Sequence, residues 1–143
     1  MTEGIEKQHH FKSIFAQERA KYLHPFVHSV MMEMIEWVKK EFKFTPVITE
    51  TVTTLEEDKF LGRKSYTHNE CRAFDMRTRD WTKEQIGKFK SHFEEAHGEH
   101  GAQNAKGFPM LIVHHDAGHG PHFHVQFDRS FTMEHNLTKG KLG

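Results

Sequence analysis

From Pro25 onward, Phe26, Val30, Met31, Met34, Ile35, Val38 and Phe42 recur at the spacing of one helical face. Pro25 suits the first helical position, where its missing N–H costs nothing. The stripe predicts an amphipathic helix of about four to five turns, ending near Lys43 in a lysine-rich last turn that suits the helix dipole. A second stripe, Ile86, Phe89, Phe93 and Ala96, follows Thr82, which with Gln85 makes a capping-box pattern; it should end by Gly98 or Gly101. Between the stripes, residues 47–53 are rich in β-branched side chains and read as a strand. Residues 71–77 read as a second strand, with Phe74 and Met76 on one face and Ala73, Asp75 and Arg77 on the other. Residues 110–115 and 120–128 make a third and fourth strand, joined as a hairpin. Residues 54–70, broken at Gly62-Arg63-Lys64, read as irregular, residues 98–107 as a flexible loop, and the tail from Arg129 has no strong pattern. Ahead of Pro25, residues 1–24 are expected to be partly ordered, with Ile14, Phe15 and Ala16 opening a short helix with Ala20 and Leu23. The order of elements predicts an α+β domain over residues 25–143, with a small, mostly antiparallel sheet packed against two main helices.

Bulk properties narrow the function classes. The 143 residues suit one domain, and the formal net charge is zero, which gives no footprint for nucleic acid. No apolar run reaches the length of a membrane span, and the polar first ten residues do not resemble a signal peptide. The expectation is a monomer without nucleic-acid or membrane partners, made in the cytoplasm. Cys71 is the only cysteine, so no internal disulfide can form, and a reducing compartment fits. The Met31-Met32-Met34 cluster reads as a core stripe rather than a binding groove.

Histidine is the anomaly, with 14 in the chain. Read as a strand, residues 120–128 put His122, His124 and Gln126 on one face and Phe123, Val125 and Phe127 on the other. At this histidine frequency about one His-x-His pair arises by chance, so the pair alone says little. A hydrolytic zinc site needs three protein ligands and an open position. His124 is one candidate. The second strand offers Asp75 beside the small Ala73, and His68 stands seven residues ahead of Asp75. His68, Asp75 and His124 would form a two-histidine, one-carboxylate set on one sheet.

The stretch His68-Asn69-Glu70-Cys71-Arg72-Ala73-Phe74-Asp75, followed by Pro121-His122-Phe123-His124, resembles the zinc-site signature of the lysostaphin, D-alanyl-D-alanine peptidase and hedgehog group. His68, Ala73 and Asp75 match the first motif, S-x-H-x-x-G-x-A-x-D, in register, and Arg72 is also a residue often seen there. Tyr66 stands where the motif has Ser, and Cys71 where it has Gly. The resemblance implies one zinc ion on His68, Asp75 and His124, with His122 as general base or transition-state donor. It also implies a peptidase acting on peptidoglycan stem or cross-link peptides, reaching the wall on release in the manner of a phage lysin. Some members carry a further active-site histidine. A hairpin symmetric about its loop pairs His115 with His122, which favours His115 over His114. An arginine that holds a substrate carboxylate or carbonyl is also usual, and Arg63 is the nearest candidate.

Other readings compete. Single-stranded DNA nicking enzymes also carry a His-hydrophobic-His strand, but they use a tyrosine after it, and the only tyrosines here, Tyr22 and Tyr66, lie upstream. A non-catalytic, zinc-stabilised virion or wall-binding module would need the same ligands. A cupin would need a downstream Glu that the spacing lacks. Cys71 reads as a small buried filler, His92, His97, His100 and His119 as solvated, and Asp116 and Asp128 as exposed loop carboxylates or partners orienting a ligand imidazole.

Overall fold

The computed structural model describes residue 8, residues 10–116, residue 118 and residues 120–137. His119 and the first seven residues lie outside them. The chain folds as an α+β domain. Its helices are α1 (Ile14–Arg19), α2 (Pro25–Phe42), α3 (Leu55–Phe60) and α4 (Lys83–His97), and its main strands are β1 (Ile48–Glu50) and β2 (Ala73–Arg77). A short ribbon of β3 (Ala102–Gln103) and β4 (Pro109–Met110) precedes β5 (Ile112–Asp116) and β6 (Pro121–Gln126). The main sheet has the order β1-β2-β6-β5, and every neighbouring pair is antiparallel. Among the described residues no helix is long and apolar enough to cross a membrane.

Side-chain alternation sorts the two faces of the sheet. Phe74 and Met76 of β2, Phe123 and Val125 of β6 and Ile112 of β5 are buried together with Val27, Val30, Met31, Met34, Ile35 and Val38 of α2 and Phe89 and Phe93 of α4. Phe89 stacks on Phe123 with ring centroids 4.8 Å apart, and Trp81 meets both edge-on. The other face carries Asp75 and Arg77 of β2, His115 of β5 and His122, His124 and Gln126 of β6. Both helix starts follow their sequence signals: Pro25 opens α2, and Thr82 and Gln85 exchange capping-box hydrogen bonds at α4.

Three expectations are corrected. The strand read over residues 47–53 is confined to Ile48–Glu50. Beyond it, Thr51, Val52, Thr53 and Thr54 stay buried but bond outside the sheet. Thr51 Oγ1 donates to the Ala16 carbonyl, Arg19 Nη1 to the Val52 carbonyl and Thr53 Oγ1 to Asp58. Residues 54–70 are not irregular throughout, because Thr54 and Glu57 form a second capping box that starts α3. The third strand begins at Ile112 rather than residue 110, because Met110 pairs with Ala102 in the ribbon and the Ile112 N–H is taken by Glu94.

Gly101, one of two expected helix ends, instead permits a close approach. A Cβ there would sit 2.4 Å from the Leu111 backbone nitrogen. Gly101→Ala should therefore cost about 1–3 kcal/mol through overpacking against backbone. Gly87, inside α4 with open space around it, should gain about 0.5–1 kcal/mol on replacement by Ala. Thermal melts of the two single variants should move in opposite directions.

Candidate metal centre

The register of β2 against β6 places Asp75 opposite His124 and Arg77 opposite His122, and β5 sets His115 opposite His122. These positions share the face turned away from the helices. His68 arrives from a tight turn before β2, closed by hydrogen bonds from Glu70 N to Tyr66 O, Cys71 N to His68 O and Arg72 N to Thr67 O. Cys71 adopts φ 65°, a left-handed conformation that favours glycine. The turn is thus kept where the resembled motif has Gly and this chain has Cys. Arg72 fastens it to the end of β6: its Nη1 donates to the Phe127 carbonyl at 2.6 Å, and its Nε and Nη2 bond Glu70.

Three donor atoms converge. His68 Nε2 lies 3.2 Å from Asp75 Oδ1, His124 Nδ1 lies 2.9 Å from the same oxygen, and ligand atoms of the three residues all lie within 4.8 Å of one another. Support behind His68 sets its tautomer. The Thr51 carbonyl can only accept, so His68 Nδ1 donates to it at 2.7 Å and the neutral ring turns its Nε2 lone pair to the centre. Thr67 Oγ1 lies 3.3 Å from His124 Nε2. Two imidazole nitrogens and one carboxylate oxygen are the donor chemistry of a zinc or related transition-metal ion. His68, Asp75 and His124 fit such an ion, and their side chains line a cleft of about 700 Å³.

Burial and charge act strongly here. Burial would push the His68 pKa down, but the Asp75 and Glu50 carboxylates outweigh it and hold it up at about 9. Burial would raise Asp75, but the His68 charge and the hydrogen bonds from His124 and His68 hold its carboxyl well below the usual range. His115 is pushed down by burial and by the charges of His122 and His124. Cys71 is pushed up to about 12 by burial and by Glu70. Its side chain is fully buried in the core and lies outside the convergent His68, Asp75 and His124 group.

The remaining candidates divide between the cleft and elsewhere. His122 Nε2 stands 3.9 Å from Asp75 Oδ2, and its Nδ1 donates to the Gly120 carbonyl at 3.1 Å. The His115 ring is 4.5 Å from that of His122, and both line the cleft. His114 alternates away, 2.8 Å from Thr78 Oγ1. Arg63 lines the cleft, with its guanidinium engaged by Glu50 at 2.7 Å and Asp58 at 2.9 Å. Asp116 and Asp128 orient no ligand imidazole; they accept backbone N–H groups of their own loops. His97 and His100 are only half exposed, packed edge-on against Phe26, while exposed His92 stacks on Trp37. Sequence reasoning missed Glu50, Thr67 and the Thr51 carbonyl, none of which belongs to a local motif.

No protein-family model matches the chain, and no curated protein or solved structure is detectably similar to it.

Metal uptake should displace a proton from His68. At pH 7 its ring is protonated in the metal-free protein, and a ligand imidazole must be neutral. Affinity for a divalent transition-metal ion should therefore climb as pH rises toward about 9 and weaken as pH falls. Calorimetric titration in buffers of different ionisation enthalpy should find about one proton released per ion at pH 7. Pure heat of binding, identical in every buffer, would contradict the coupling.

Proposed function

We propose that this chain is a zinc-dependent peptidase that hydrolyses a peptide bond in peptidoglycan stem or cross-link peptides. The observation that carries the reading is the convergence of His68, Asp75 and His124 with the His122 imidazole 3.9 Å from the Asp75 carboxylate beside them. Zinc, when bound, supplies the charge that polarises a scissile carbonyl and acidifies water.

The chain's own groups fit the other tasks of hydrolysis. Because the Gly120 carbonyl takes the N–H of His122 Nδ1, the neutral ring keeps the Nε2 lone pair facing the Asp75 side of the cleft. That nitrogen can take a proton from water and return it to the leaving amine. His115, packed on His122 and biased toward the neutral form, can steady the imidazolium geometry or donate to a developing oxyanion. Lys12, Lys64 and Arg77 line the same cleft. Their charge favours a peptide rich in carboxylates, as wall stem peptides are. The similarity of residues 68–75 and 121–124 to the lysostaphin and D-alanyl-D-alanine peptidase signature supports the same class. Release to the wall after cytoplasmic synthesis, as for a phage lysin, belongs to this proposal.

His124→Ala should lose both zinc and the release of soluble wall fragments. His122→Ala should keep one zinc ion while turnover drops about 10²–10⁴-fold, the usual share of a general base. Metal content by mass spectrometry, with fragment analysis of digested peptidoglycan, reads both. Full wall-lytic activity of His124→Ala would sink the proposal, and a zinc-loaded protein inert on every wall fragment would favour a binding module.

A further inference from the structure

The sheet brings one more carboxylate to the centre than the three-residue donor set uses. Ile48 pairs with Met76 and Glu50 with Asp75, so the register of β1 shifts between them. In a regular strand two such positions would share a face. The irregularity separates them: Ile48 is fully buried in the core and Glu50 lines the cleft. Glu50 Oε2 lies 3.6 Å from His68 Nε2, the nitrogen that meets Asp75 at 3.2 Å. A succession of held groups fixes it there. Arg63 Nη2 donates to the same Glu50 oxygen at 2.7 Å, and Arg63 Nη1 donates to Asp58 Oδ1 at 2.9 Å. Asp58 is wholly buried and receives the Thr53 hydroxyl at 2.9 and 3.0 Å from its two oxygens.

We propose that Glu50 is the second carboxylate of the cation centre, and that Arg63, anchored on Asp58, is the positioning residue that holds it there. The inference rests on His68, Asp75 and His124 binding a divalent ion. Charge counting supports it. Ligand imidazoles are neutral and Asp75 brings one negative charge, so a divalent ion leaves one positive charge over. Arg63 and Asp58 cancel each other, and Glu50 balances the remainder. An unbalanced charge beside the buried His68 and Asp75 is costly. Arg63, expected from the sequence to meet substrate, is here turned to a carboxylate of its own chain.

The test uses the whole metal-free protein, with cobalt(II) followed by visible absorption and zinc(II) in competition with a chelator of known affinity. Wild type should take up one ion. Glu50→Gln should keep that stoichiometry and bind about 10–100-fold more weakly, as losses around metal ligands do. Glu50→Asp, which keeps the charge, should recover part of the loss. Arg63→Lys keeps its charge but loses the fork that spans two carboxylates, and should weaken binding severalfold. Ser65→Ala, lining the same cleft, should change nothing. Wild-type affinity in Glu50→Gln overturns the assignment, and wild-type affinity in Arg63→Lys overturns the role given to Arg63. Should Glu50→Gln fail to fold by circular dichroism, Glu50→Asp decides in its place, and unaltered affinity there together with unaltered Arg63→Lys rejects the proposal. A wild-type protein that binds neither ion overturns the centre itself, an outcome distinct from the others.

Discussion

The Asp75 carboxylate is the constraint on which the site depends. It sits in the second strand of the sheet, 8 % exposed, with one oxygen shared between His68 and His124. A buried carboxylate is tolerable only with opposite charge or several donors beside it. In the metal-free protein the proton held on His68 meets that demand, and a divalent ion would meet it in the proton's place. The electrostatics that stabilises the fold here is thus also of the kind that suits a cation. The pair's two neighbours, Thr51 behind His68 and Thr67 behind His124, contribute no charge. They fix ring orientation, so the approach of the three donors is set before any ion arrives.

Backbone features carry that arrangement outward. The turn that presents His68 needs a left-handed residue at position 71 and uses a buried cysteine there. Its side chain joins the core, which offsets the unfavourable φ with apolar burial. Arg72 then ties the turn to the Phe127 carbonyl while Phe127 N returns a bond to Arg72 O. The turn that presents His68 is consequently locked to the far end of the strand that supplies His122 and His124. A change in either motif is felt by the other through this clamp as well as through Asp75.

What the sequence made legible was whatever obeys a local period. The two long helices, the faces of β2 and β6, and the pairing of His115 with His122 follow from alternation and hairpin symmetry. The short helix α3 carried a capping-box signal, Thr54 with Glu57, of the same kind as the Thr82 and Gln85 pair that marked α4, yet Leu55 and Phe60 give no apolar stripe to go with it. Glu50 was hidden for a different reason. A period-two reading assigns it to the face of Ile48, toward the core, and only the register shift in β1 reverses that. Non-local bonds such as those of Arg63 to Glu50 and Asp58 have no sequence signature at all.

Histidine richness, the first oddity of the chain, resolves into separate tasks. His24 caps α2 by accepting the Phe26 N–H, His97 bonds Glu33, His114 meets Thr78 and His135 meets Asn69. Among the described residues only His68, His115, His122 and His124 line the cleft around Asp75. A metal-ligating imidazole almost always has its second nitrogen held by a partner while its first faces other donors. His68 meets that condition through a backbone carbonyl, and His124 through a threonine hydroxyl. His122 holds its Nδ1 on a carbonyl but turns its Nε2 to Asp75 from 3.9 Å, beyond hydrogen-bond reach and outside the convergent trio. The two histidines of one strand face are thus divided by geometry, one within the convergent trio and one beside it.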